Sequence, residues 1–265
     1  MTVQGEELRF ADPGEAADLA AFLARLIHYD RAAAVRLQAG GGVLAVFGRP
    51  PSFEVLAIRT ARLAADTVLD TTVSAGQFAD ALDAAARRKA DGAGAAPDGP
   101  AGLDVAVPDP VTGPPWAGLL PPRGGWRRVA GLPGVAEVRG AVASAVAEFR
   151  ARDAALPEER RTRAERDRIG REIWSRTLGE TGLPLRAVHA AQSLGFLRQA
   201  RTPEPIAAAV APGPPGGGAT ALTPEPEQLA LLAAGGWLRL RTPYGSIAVR
   251  KTGLPGLSGL SVSPA

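Results

Sequence analysis

Acid–base chemistry near neutrality needs an imidazole or a strongly shifted carboxyl, and this chain holds only two histidines, His28 and His189. His28 closes an apolar stripe beside Tyr29 and Asp30, where a helix end would stabilise it. His189 stands between Val188 and Ala190 in a run of helical character. Both read as structural side chains rather than bases. Cysteine is absent, which excludes disulfides, thiolate metal sites and a cysteine nucleophile. With two distant histidines and no thiol, no metal site is expected, and neither a catalytic residue nor a cofactor is assigned.

Enforced spacings of known catalysis are missing as well. No Gly-x-Gly-x-x-Gly follows a strand, and Gly40-Gly41-Gly42 reads as a turn. The nearest approach to a phosphate loop, Gly245 to Thr252, has Arg250 where the second glycine belongs. There is no Gly-x-Ser-x-Gly elbow and no His-Glu-x-x-His.

The least ordinary segment is GPPWAGLLPPRGGWRR, Gly113 to Arg128. Two Pro-Pro pairs stiffen it and bar it from a helix or an inner strand. Indoles on such a loop act as anchors, and guanidinium groups beside them stack on the rings or clamp an anion. Trp116, Arg123, Trp126, Arg127 and Arg128 are therefore the candidate ligand- or partner-binding residues. The plainer reading is a strap whose indoles plug two folded parts together. On that reading, Gly124 and Gly125 permit a sharp turn that buries Trp126 between the two parts, while Arg123 and Arg127 reach a cleft.

Charge is unevenly spread. Residues 1–122 carry a net −5 and residues 123–265 a net +8, nearly all of the positive charge being Arg. Residues 158–176 hold seven Arg against five Asp or Glu, with Glu159–Arg163, Asp167–Arg171 and Glu172–Arg176 at the i,i+4 spacing. A helix so neutralised offers few free cations to phosphates, and no tight binding to duplex DNA is expected. The start of the chain lacks the apolar run of a secretory signal. Its longest uncharged run, Pro205 to Pro224, contains PGPPGGG and cannot span a bilayer as a helix. No membrane partner and a cytoplasmic location follow as expectations.

These residues must be held by an α+β fold. Residues 1–95 are read as a mainly antiparallel sheet with two helices. Asp12 and Pro13 open the first helix, whose apolar stripe runs Leu19, Phe22, Leu23, Leu26 and Ile27. AVRLQ and VLAVFGR around the glycines read as a hairpin, and a second helix runs from Ala75 to about Ala90. Residues 96–128 form the connecting strap. Residues 129–265 are read as mainly helical, with stripes through Val135–Phe149, the Arg-rich run and LPLRAVHAAQSLGFL. A Pro/Gly-rich linker at 202–226, a short helix over Gln228–Leu232 and a terminal β-hairpin at 237–251 complete the expectation.

The run LPPRGGW, together with the GFL end of the later helix, resembles conserved uncharacterised actinobacterial proteins, a family that brings no known activity. In element order alone, the β-α-β-β-β-β-α start resembles one repeat of a DNA sliding clamp. The C-terminal helices with the basic hairpin (Arg239, Arg241, Arg250, Lys251) resemble a winged-helix arrangement. The functional expectation is a non-enzymatic binding or regulatory protein whose partner is another protein or a small anionic ligand. The alternative is a small-anion or nucleotide ligand-binding protein, or an enzyme, with its cleft at the Trp/Arg strap.

Overall fold

The hairpin at Gly41-Gly42 starts the architecture. Both glycines adopt positive φ (61° and 72°), the geometry a two-residue turn between right-twisted strands demands. This turn joins β2 (Ala34–Gly40) to β3 (Val43–Gly48), and β4 (Leu56–Arg62) and β5 (Leu69–Ser74) flank the pair. The computed structural model describes residues 6–92, 102–198 and 229–251. The linker expected at 202–226 lies outside these residues.

Two helices follow their sequence signals. The Asp12 carboxylate accepts from the Gly14 amide at 2.8 Å and caps α1 (Pro13–Tyr29), whose Leu19, Phe22, Leu23 and Leu26 are buried. The Ser74 hydroxyl accepts from Gln77 and caps α2 (Ala75–Ala90), which ends in Arg87, Arg88 and Lys89, where the helix dipole favours cations. Ahead of them, β1 (Glu7–Phe10) pairs with β6 (Leu103–Ala106) as a separate two-stranded sheet. The segment 96–128, read as a connecting strap, therefore contains a strand, fixed by the buried Leu103 and Val105.

The C-terminal half supplies β7 (Arg127–Val129), α3 (Val135–Ala154), α4 (Arg163–Ser175), α5 (Leu185–Ser193), β8 (Ala230–Ala234), β9 (Trp237–Thr242) and β10 (Gly245–Arg250). Pro157 precedes the Arg-rich run without starting its α-helix. One 3-10 turn, Glu158–Arg160, intervenes, and the Thr162 hydroxyl caps α4. Of the short helix expected over Gln228–Leu232, Gln228 lies outside the described residues and Ala230 to Leu232 belong instead to the strand β8. Its Leu231 pairs with Leu240 of β9 and with Val129 of β7, so burial between two strands overrides the helix propensity of Leu and Ala.

All eight strands of the large sheet are antiparallel, in the order β5-β2-β3-β4-β10-β9-β8-β7. β4 of the N-terminal half and β10 of the C-terminal half meet at its centre, where Ile58, Ala57 and Leu56 oppose Ser246, Ile247 and Ala248. The terminal hairpin is thus interior to a sheet, which a winged-helix wing is not. The fold is α+β, as expected, with helices and strands in both halves.

Each face of this sheet carries its own apolar layer. On one face α1 packs against β4 and α5 against β10 over a core that includes Leu37, Val46 and Ile247. On the other, Phe47, Leu56, Ile58 and Ala248 pack with Trp116, Leu120 and Trp237. Strand alternation explains the division: Leu56 and Ile58 point to the second face while Ala57 and Ala61 point to the first. Arg59, only 8% exposed, reaches from β4 to Asp18 on α1 at 2.8 Å and to the Tyr244 carbonyl in the β9–β10 turn. Arg198 meets the same Asp18 at 2.7 Å and lies over the Tyr244 ring. The halves are therefore joined by paired strands, by shared core and by ion pairs.

Candidate functional site

The strap lies across the second sheet face. Val111 donates its amide to the Thr72 carbonyl at 2.8 Å, anchoring the entry to β5. A single 3-10 turn, Pro115–Gly118, then sets Trp116 against the apolar layer, next to Trp237. Pro121 is buried, and Gly125 takes a positive φ of 76° that turns the chain back. The Trp126 indole donates to the Pro122 carbonyl at 3.0 Å. Trp126 is consequently half-buried on the strap itself, not the plug between two parts that its sequence context implies. Its ring faces the Arg239 guanidinium at 5.7 Å.

Two hollows open along this strap beyond its entry, where a further one of about 440 Å³ is lined by Asp30, Arg49, Ser74, Thr112 and Trp116 among others. The first, about 340 Å³, is lined by Gln38, Phe47, Thr60, Pro122, Arg123 and Arg239 among others, with no carboxylate in the lining. Arg123 approaches Asp70 at 4.0 Å, but Asp70 already pairs with Arg36 at 2.8 Å. Burial, with Arg241 beside it, lowers the Arg239 pKa from its ordinary value, and its Nε has no hydrogen-bond partner. Guanidinium remains charged under such a shift, so the site holds a desolvated cation.

The second hollow, about 410 Å³, lies between Trp116 and Trp237. Four cations line it, Arg49, Arg186, Arg250 and Lys251, against one carboxylate, Glu54. Arg186 is held by α5 and its Nε is buried without a hydrogen-bond partner; Glu54 stands 3.8 Å away, too far to supply one. Glu54 is the one non-glycine residue with positive φ among the described residues, at 51°, so local backbone strain sits at the rim of this hollow. The Arg250 guanidinium lies 5.2 Å from the Trp237 ring centroid.

Of the five residues the sequence singled out, the structure places Trp116 in the second hollow and Arg123 in the first, with Trp126 against Arg239. Arg127 and Arg128 are exposed on the edge strand β7. Arg128 is in register with Leu232, which pairs with Arg239, so it shares their face; Arg127 alternates to the other. Arg49, Arg186 and Trp237 were not singled out. The alternation in WLRLR, placing Trp237, Arg239 and Arg241 on one face, is the signal that reveals part of this set.

The two histidines and the Arg-rich helix line neither of these two hollows. His28 is exposed in the last turn of α1 against Tyr29. His189 is half-buried, stacked on Trp174 at 4.3 Å, and burial lowers its pKa from the ordinary value. On α3 and α4, Arg152 clasps Glu172 with two 2.8 Å bonds and Arg176 clasps Glu148 at 2.6 and 2.8 Å. Ion pairs of the Arg-rich helix thus run across to α3 as well as along the helix itself, where Arg168 meets Glu165 at 2.6 Å. No group of three or more metal-ligating side chains occurs among the described residues, and none of the described helices is long and apolar enough to cross a membrane.

Residues 121–254 match a family described as Domain of unknown function (DUF8185), and residues 3–118 match a second, Domain of unknown function (DUF8010). The two matches meet within the strap. No curated protein and no solved structure matches the chain.

Proposed function

We propose, for a chain that belongs to the DUF8185 family, a binding role: it takes small organic anions that carry a flat ring, in the hollow between Trp116 and Trp237. We further read it as cytoplasmic and as akin to the actinobacterial proteins that its LPPRGGW run resembles. The observation that carries the reading is Arg186, whose buried Nε lacks a hydrogen-bond partner on the wall of a hollow where four cations face a single carboxylate. A buried donor left unmatched costs about 1–3 kcal/mol, and an anionic oxygen would supply the match. Two indoles in the lining favour a ligand with a planar apolar body over a bare ion. The lining holds cations and rings but no imidazole, a composition for recognition rather than proton transfer.

Calorimetry with phenyl phosphate, inorganic phosphate and phenol tests this. Phenyl phosphate should bind most tightly and quench tryptophan fluorescence, and Arg186→Ala or Trp237→Ala should weaken it at least tenfold. Equal and weak binding of all three compounds would refute the reading.

A further inference from the structure

Three of the chain's four tryptophans, Trp116, Trp126 and Trp237, lie on the strap-covered sheet face, and the fourth is stacked on His189 elsewhere. Two of the three face a guanidinium, Trp126 that of Arg239 and Trp237 that of Arg250, and Arg49 lines the same hollow as Trp116. Rings and cations therefore lie together along the face. We propose that this face is a groove for single-stranded nucleic acid, whose bases stack on the indoles while its phosphates meet the guanidinium groups. The inference rests on the small-anion reading of the Trp116–Trp237 hollow and extends it to a polymer.

The two hollows are close enough for one strand to enter both. Ala248 lines one and Arg239 the other, and these residues are direct cross-strand partners, which places their Cβ atoms about 4.5–5.5 Å apart. The strap forms the ridge between them. Leu119 on that ridge is 56% exposed, an apolar side chain over which a base can lie. Arg128 continues the cationic row toward the sheet edge through Leu232.

Charge on this face is poorly answered. Arg49, Arg128, Arg250 and Lys251 make no ion pair among the described residues, and the carboxylates lining these hollows or meeting their cations are Asp70, taken by Arg36, the exposed Glu54, and Asp30 in the hollow at the strap's entry. The contrast with α3 and α4, where Glu and Arg pair with each other, separates a self-neutralised surface from one open to phosphates. Ring stacking also chooses between forms of nucleic acid. A duplex hides the faces of its bases, whereas an unpaired strand offers them to indoles without regard to sequence.

Fluorescence anisotropy of the full chain with labelled oligothymidylate and oligouridylate decides the matter. Affinity should rise at least tenfold between a mononucleotide and an octamer, and each phosphate contact should add about −0.7 to the slope of log affinity against log salt. The matching duplex should bind at least tenfold more weakly. Trp126→Ala and Trp237→Ala should each weaken octamer binding by about 5- to 150-fold. Arg128→Glu, on an exposed edge strand, should weaken the octamer with no change in thermal unfolding or in mononucleotide binding. Mononucleotide binding without a gain in length would overturn this inference and leave the small-anion reading standing. Loss of both would remove the two together. Heparin binding as tightly as the octamer, with the tryptophan variants unaffected, would reduce the face to unspecific charge and also overturn the inference.

Discussion

The imidazole of His189 lies flat on the indole of Trp174, with ring centroids 4.3 Å apart and planes 18° from parallel. Phe53 meets the same imidazole edge-on at 5.2 Å, so the ring is held among aromatics that join α5, α4 and the β3–β4 loop. Burial pulls the His189 pKa below its ordinary 6.5. The unfolded chain thus takes up a proton that the folded one resists. Stability from this site is complete above about pH 6.5 and falls as pH drops below it. Urea unfolding at pH 7.5 and 5.5 should show the loss, and His189→Phe should reduce it.

Glu172 gives the opposite kind of group, a carboxylate favoured by folding. Hydrogen bonds from Arg152, followed by the charge of the same residue and of Arg176, hold its pKa down at about 2. Because the folded value lies below the unfolded one, its contribution is present above about pH 4.5 and is lost as pH falls toward 2. Carbon-detected NMR titration should place Glu172 far below an ordinary glutamate, and Arg152→Ala should bring it back upward.

Trp126 and Phe78 should separate under urea. Phe78 is fully buried, and Phe78→Ala should cost about 3–5 kcal/mol. Trp126 is half-exposed, with its indole bonded to its own strap, so Trp126→Ala should cost less than half as much. Equal losses would mean that the strap is a structural plug.

Gly245 tests the turn of the terminal hairpin. A Cβ there would stand 2.6 Å from the Phe196 ring, on a residue with φ of 151°. Gly245→Ala should lower stability by more than about 1 kcal/mol. The double variant with Phe196→Ala should relieve the clash but not the backbone strain, which a double-mutant cycle in thermal unfolding would resolve.

Local signals in the sequence reported local structure well. Asp12–Pro13 and the Leu19–Leu26 stripe mark α1, and the Gly41-Gly42 turn marks the first hairpin, because caps, periodicity and positive φ act over a few residues. β8 was read as a helix since Leu and Ala favour one in isolation; only Leu240 and Val129, remote in sequence, make it a strand. The candidate site divides the same way. Trp116 and Arg123 stood out by composition, and alternation along WLRLR groups Trp237 with Arg239. Arg186 gave no sign, because its place depends on how α5 packs against β10. Trp126 gave a misleading one, since the Gly125 turn folds the indole back to Pro122.

The seam between β4 and β10 makes the order of synthesis matter. β4 is made early, but its partner ends at Arg250, so the emerging chain carries an open sheet edge until the last hairpin arrives. Such an edge pairs with whatever strand comes first. When two chains fold close together, β10 of one can complete β4 of the other with the same register, giving an exchanged dimer without any new contact. Refolding at high concentration should accordingly yield dimers that dilution reverses only slowly, because separating them requires reopening the middle of an eight-stranded sheet.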